Sequence, residues 1–265
     1  LLLLSEKGYD NVLAIDMHAG NLAIAARLNP GIKTLCADLS RAGAWQQAFA
    51  GAEAVIQLHS QITGLYEIDF QHNNIDATRH VLAACQQHDV PYLVHISSSV
   101  LHSVADDAYT RTKREQEALV KASGIAHCIL RPTLMFGWFD PKHFGWLSRF
   151  MARSPVFPIP GDGKFLRQPL YNRDFCRVIM ACLASDRAGQ AYDIVGNEDV
   201  TYIDIIQTIR DVKDLRTVIL HIPFRFFDSL LRIFALISSK PPFTSSQLHA
   251  LAAGDYFKGI KKKKE

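Results

Sequence analysis

Tyr109 and Lys113 stand four residues apart, a spacing that puts both on one face of a helix. An ammonium beside a phenol favours phenolate and lowers its pKa from about 10, toward the range where a base works at neutral pH. The spacing alone is cheap: eight Tyr and thirteen Lys in this length give roughly 0.4 such pairs by chance. A surface tyrosine and a solvated lysine is the plain reading. Context sharpens it, because the run Ser97-Ser98-Ser99 lies ten to twelve residues upstream. A hydroxyl there could hold a substrate oxygen while Tyr109 exchanges its proton. The three serines cannot all face one site, and strand-end turns also favour serine for local bonding.

The elements that must position these residues alternate through the first half. Apolar runs at 12–16, 33–37, 54–59, 92–96 and 127–131 read as strands, and 21–28, 45–49, 68–88 and 107–123 as helical. Short apolar strands separated by amphipathic helices define an α/β fold, a Rossmann-type doubly wound parallel sheet, which binds ligands at the carboxyl ends of its strands. Asp16, Asp38, His59 and the serines fall at those ends. A carboxylate at the position of Asp16 can accept both hydroxyls of an adenosine ribose or, alternatively, cap the turn. It would repel a 2′-phosphate, and no Arg follows it directly, which favours NAD over NADP.

After Pro132 the rhythm breaks. Residues 173–183 and 201–210 read as helices, and 191–195 as a strand returned to the main sheet. The expected organisation is a dinucleotide-binding domain at 1–132, a smaller C-terminal substrate-binding cap at 133–260 with returning sheet elements near 167–195, and a basic tail at 261–265. Phe136, Trp138, Phe139, Phe144 and Trp146 are read as core ahead of a substrate cage. The apolar stretch 217–239 contains Pro223, Arg225, Asp228 and Arg232, so it suits an amphipathic packing helix or a surface anchor better than a transmembrane span.

Net charge is +3, from 29 Lys and Arg against 26 Asp and Glu, and the excess sits in the tail. A neutral body argues against nucleic acid as a partner. Five scattered cysteines without a CxxC pair fit a reduced, cytoplasmic compartment. The eleven histidines show no metal-ligand spacing, so no metal is expected. The opening Leu1–Leu4 lacks the features of a secretory signal and reads as the interior of a helix.

The stretches Val12-Leu13-Ala14-Ile15-Asp16, Ala37-Asp38-Leu39, 55–61, Asn74-Ile75-Asp76-Ala77-Thr78 with Val81-Leu82, and 94–100 follow in order. Tyr109-Thr110-Arg111-Thr112-Lys113, Leu130-Arg131-Pro132-Thr133-Leu134-Met135-Phe136-Gly137 and 167–175 complete the set. In this order and spacing the chain resembles the extended short-chain dehydrogenase/reductase superfamily, in its NAD-dependent epimerase/dehydratase family. The resemblance implies Tyr109 as general base or acid, with Lys113 lowering its pKa and binding the nicotinamide ribose. It implies Ser98, then Ser99, as the catalytic hydroxyl, and Asn74 as the brace of the active-site helix. It further implies Asp16 on the adenosine ribose, Asp38 and Leu39 on the adenine, and His59 and Ser60 under the cofactor phosphates. Arg167 is the candidate for a substrate phosphate, an ordinary surface arginine being the alternative.

Three departures accompany the resemblance. The glycine-rich loop that would cradle a pyrophosphate has no counterpart in this sequence. The serines lie closer to Tyr109 than extended members usually place them, and His102-Ser103 stands where Tyr-Gly is usual. The implied function is an NAD-dependent oxidoreductase or epimerase acting on an alcohol or ketone carbon, with a nucleotide-sugar as default substrate and a homodimer as an open expectation. Dehydration is expected least, since Ser99 and Val100 follow Ser98 where dehydratases usually place an acid and a base. The alternatives are a non-catalytic nucleotide-binding subunit, similar to an accessory subunit of respiratory complex I, and a redox-sensing regulator.

Overall fold

Each apolar run of the first half becomes a strand, trimmed at its ends: β1 Leu13–Asp16, β2 Lys33–Cys36, β3 Val55–Gln57, β4 Leu93–Ile96 and β5 His127–Pro132. The computed structural model describes residues 1–103, 106–140, 143–184, 187–237 and 248. β4 pairs in parallel with β3 on one side and β5 on the other, and Gln190–Ile194 flanks β5, in the order Gln190–Ile194, β5, β4, β3. β4 is buried on both faces, as a central parallel strand must be. β1 and β2 form a separate parallel pair, Leu13 opposite Lys33 through Asp16 opposite Cys36. The expected single sheet is thus two pieces, because β1 and β3 share no hydrogen-bonded ladder.

The helix expected at 68–88 runs as Glu67–Phe70, a π turn over Gln71–Asp76, and Ala77–Gln87. A π turn fits one extra residue into the spiral and rotates its neighbours, and it is common at functional sites. Here it carries the fully buried Asn74 and Ile75. The helix Ala108–Ala122 starts where the Asp107 carboxylate accepts the Thr110 N–H at 2.8 Å, a side-chain cap on an otherwise orphaned donor. Val81, Leu82, Ala84 and Cys85 pack with Leu93, Ile129, Val120, Trp45 and Phe49 into one core. Each fully buried aliphatic side chain there contributes about 1.5–3 kcal/mol.

Two compact units divide the chain. The first holds residues 1–101, 106–131 and 174–192, and the second the described residues of 102–105, 132–173 and 193–265. Within the second, Val156–Pro160 pairs in parallel with Val218–Ile222, and Leu166–Arg167 is antiparallel to Val200–Thr201. The helix Tyr202–Val212 opens on a capping box between Thr201 and Asp204, and Ile206 joins Met151, Phe157 and Ile159 in a separate small core.

The aromatic stretch departs from its core reading. Phe136 packs on Phe144 and Tyr171 at centroid distances of 5.4 and 5.6 Å, but Trp138 and Phe139 are 68% and 74% exposed. Phe139 sits at a φ of 62°, a conformation that turns the chain at a bend and leaves its ring outside. The stretch read as one amphipathic helix divides at Pro223 into the strand Val218–Ile222 and the helix Phe224–Ile237. Residues 238–239, the later part of the expected cap at 240–260 (residue 248 apart) and the tail at 261–265 lie outside the described residues.

Candidate active site

Tyr109 and Lys113 share a face of the helix Ala108–Ala122, as the four-residue spacing requires. Lys113 is 1% exposed, and its Nζ donates to the Ile96 carbonyl at the end of β4, at 3.0 Å. Burial brings its pKa down to about 8, with Glu117 pulling the other way. Tyr109 moves opposite to expectation. Burial raises its pKa above the ordinary phenol value, Ser98 and Ser60 draw it partly back, and Asp107 adds to the rise. The Lys113 ammonium is turned to the Ile96 carbonyl, and the proton affinity of the phenol is set by burial, two hydroxyls and the Asp107 charge.

Ser98 is thus the serine that acts on the phenol, and its Oγ also accepts the Val100 N–H at 3.3 Å. Ser97 and Ser99 are buried, and neither acts on the phenol. Ser60 Oγ and His59 Nε2 are buried without a hydrogen bond of regular geometry. His59 feels burial first and the Lys113 charge second, and together they bring its pKa down to about 4, so its imidazole is neutral.

Asn74 ties these pieces together. Its Oδ1 accepts from the Gln61 N–H at 2.6 Å, and its Nδ2 donates to the Gln61 carbonyl at 3.1 Å and to Thr112 Oγ1 at 3.0 Å. One buried amide therefore clamps the segment carrying His59 and Ser60 to the helix carrying Tyr109. Gln116 donates to the Asn74 carbonyl at 3.1 Å and to Thr78 Oγ1 at 2.8 Å, extending the network. Glu117 pins the same helix to β5 through a two-pronged pair with Arg131, both contacts at 2.7 Å. Burial alone would raise the Glu117 carboxyl, but Arg131, Ser97 and Lys121 outweigh it and lower its pKa. Gln61, Thr112, Gln116 and Glu117 carry no sequence signal of their own, although Gln61 and Thr112 fall inside the matched stretches.

The remaining candidates are placed less centrally. Asp16 ends β1, and its carboxylate accepts from the His18 N–H at 2.7 Å and from Asn21 Nδ2 at 3.0 Å, the capping role read as its alternative. Asp38 has a lowered pKa, first through the Ser40 hydroxyl at 2.7 Å, with Arg41 also contributing against some burial. Leu39 packs against the first unit's core. Arg167 belongs to the second unit and is 4% exposed, so it is no ordinary surface arginine; it donates to the Leu166 carbonyl at 3.1 Å. Among the described residues no group of three or more His, Cys, Asp or Glu could hold a metal.

A parallel α/β sheet with a buried lysine, a tyrosine and serines at its strand ends defines a nucleotide-fold enzyme class. The sequence profile of the NAD dependent epimerase/dehydratase family matches residues 2–195, and the chain belongs to that family. Among curated proteins it is similar to a dTDP-glucose 4,6-dehydratase of Xanthomonas campestris pv. campestris, 30% identical over 115 residues, 40% of this chain and 32% of that protein. A dTDP-glucose 4,6-dehydratase of Streptomyces niveus is 26% identical over 159 residues, 53% of this chain and 47% of that protein. The matches thus span about a third to a half of those relatives' length.

Among solved structures, the UDP-glucuronic acid 4-epimerase from Bacillus cereus in complex with NAD superposes with a TM-score of 0.73 at 21% identity, over 96% of this chain and 92% of that one. The dTDP-glucose 4,6-dehydratase from Streptomyces venezuelae with NAD and TYD bound gives 0.70 at 18%, over 84% and 80%. These likenesses establish the fold. Among the described residues no helix is long and apolar enough to cross a membrane.

Proposed function

We propose that the chain carries the proton-transfer machinery of an NAD-dependent oxidoreductase or epimerase acting on an alcohol or ketone carbon of a nucleotide-sugar. The observation that carries this reading is the Tyr109 phenol, held by Ser98 and Ser60 on the helix face it shares with buried Lys113. In its phenolate form Tyr109 takes the substrate hydroxyl proton as the carbon is oxidised, becoming the neutral phenol, and returns that proton on reduction, while Ser98 holds the oxygen in line. Lys113, anchored on the Ile96 carbonyl, presents its charge at the strand end, and Asn74 keeps the two segments in register.

The residues on the nicotinamide side fit NAD. Ser60 Oγ and His59 Nε2 are buried polar atoms without a hydrogen bond of regular geometry, and Ser60 acts on the Tyr109 phenol while His59 feels the Lys113 charge, so both suit the phosphate and nicotinamide side. Asp16 and Asp38 with Leu39 are the groups for the adenosine, and Lys113 for the nicotinamide ribose. Bound NAD would supply the hydride acceptor. Arg167 is the substrate-phosphate candidate, and a homodimer the assembly this reading carries. The curated relatives are named as dehydratases, but Ser99 and Val100 supply neither an acid nor a base after Ser98, so the reading stays with oxidation and epimerisation.

Tyr109→Phe tests it. With UDP-glucose and dTDP-glucose as probes, turnover should fall by about a hundredfold or more. NAD binding, followed by calorimetry, should stay within about a factor of three, since a phenol contributes mainly proton transfer. Undiminished turnover would overturn the assignment.

A further inference from the structure

The helix Phe224–Ile237 turns two kinds of side chain to solvent. Phe226, Leu230 and Ile233 are 58%, 44% and 55% exposed, at positions i, i+4 and i+7. Arg225, Ser229 and Arg232 are exposed beside them, while Phe224, Phe227, Asp228 and Leu231 are half-buried. At about 100° per residue the exposed apolar groups form one sector roughly 60° wide, bounded on one side by the half-buried sector and on the other by Ser229, with both arginines beyond it. Arg232 reaches back to Asp228 at 3.0 Å, along the helix and away from the apolar sector.

The preceding strand repeats the pattern. Val218 and Leu220, two residues apart and so on one sheet face, are 61% and 50% exposed, and Val218 is in register with the 40% exposed Val156. Exposed aliphatic and aromatic groups in this density mark an interaction surface.

Charge identifies the occupant. Residues 213–265 hold ten of the chain's 29 Lys and Arg but only four of its 26 Asp and Glu, so the rest of the chain is net acidic. The basic excess lies in the same stretch of sequence as the exposed apolar helix, and ends in Lys261–Lys264. An apolar sector with two arginines on its polar flank, followed after residues 238–260 by a polybasic run, matches the chemistry of an anionic bilayer surface, where rings and aliphatic groups enter the acyl boundary and cations stay with the headgroups. The fourteen described residues of the helix are too few to span, so the described helix would lie in the interface plane. We propose that the helix Phe224–Ile237 docks this protein on anionic lipid membranes.

The test uses the full chain with sedimenting vesicles of phosphatidylcholine, alone or mixed with phosphatidylglycerol. Binding is expected to the mixed vesicles only, weakening as salt rises. Replacing Leu230→Gln and Ile233→Gln together should reduce that binding by about tenfold or more, since each loses apolar area to the acyl boundary. Both side chains are exposed, so the thermal unfolding midpoint should not move; a native midpoint with lost binding supports the proposal. Replacing Lys261–Lys264 by Gln should weaken the anionic preference without altering the fold. Failure to bind either vesicle, or binding indifferent to the helix substitutions, would overturn it. So would a dimer seen by light scattering that these substitutions disperse in a protein that ignores vesicles, which would give the face to a second copy of the chain.

Discussion

Lys113 shows how burial turns a common residue into a specialised one. Its ammonium has one carbonyl partner and almost no solvent, and its pKa falls from 10.5 to about 8. The sign of the consequence for stability is fixed. Between these two values the unfolded chain holds a proton that the folded one releases, so folding gains as pH rises through that window. Relative to Lys113→Met, the wild-type protein should gain on the order of 3 kcal/mol between about pH 7 and 10.5, read as the change in urea-unfolding free energy difference. A flat difference would mean that Lys113 is solvated. Tyr109 and Lys113 were legible as a pair from their spacing together with the serine run upstream, but the direction of the phenol's shift was not. It depends on Ser60, about fifty residues away, and on where the ammonium points, and neither is written in an i, i+4 pattern.

Among the elements, the helix Ala108–Ala122 carries most of the candidate site. Asp107 both caps it and raises the Tyr109 pKa. Asp107→Ala should therefore cost about 1 kcal/mol of stability and move the phenol's titration to lower pH. Asp107→Ser keeps a capping oxygen without the charge, so it should recover the stability while retaining the lowered titration. Unfolding curves and difference absorbance of the phenolate check the two effects separately. The apolar runs revealed β1 to β5 to within one or two residues; for β4 and β5 this is because central parallel strands buried on both faces need continuous apolar sequence. The π turn at Asn74 was not legible, since 3.6-residue periodicity tolerates one inserted residue in a long helix. Nor was the helix Phe144–Arg153, whose flanking aromatics obscure its period.

For the molecule as a whole, the buried histidines set the acid limit. His59, at about 4, and His95, held well below 6.5, are kept neutral by burial first and by the charge of Lys113 next. Their depressed values mean that stability is present above 6.5 and drains away as pH falls, because the unfolded chain takes up protons that the folded one refuses. His59 alone should cost about 2–3 kcal/mol between roughly pH 7.5 and 4.5, and His59→Asn should flatten that part of the profile. An unfolding free energy that ignores pH over this range would show these rings to be hydrated. The order of strands and helices in the first half, the class of fold and the Tyr–Lys–Ser residues were all contained in the amino-acid order, because periodicity, turn residues and short motifs are local quantities. Folding in three dimensions decided which serine meets the phenol, that one buried asparagine joins two distant segments, and that Trp138 and Phe139 stay outside the core. Those outcomes depend on which side chains lose water and which partners replace it, and burial is a property of the packed chain.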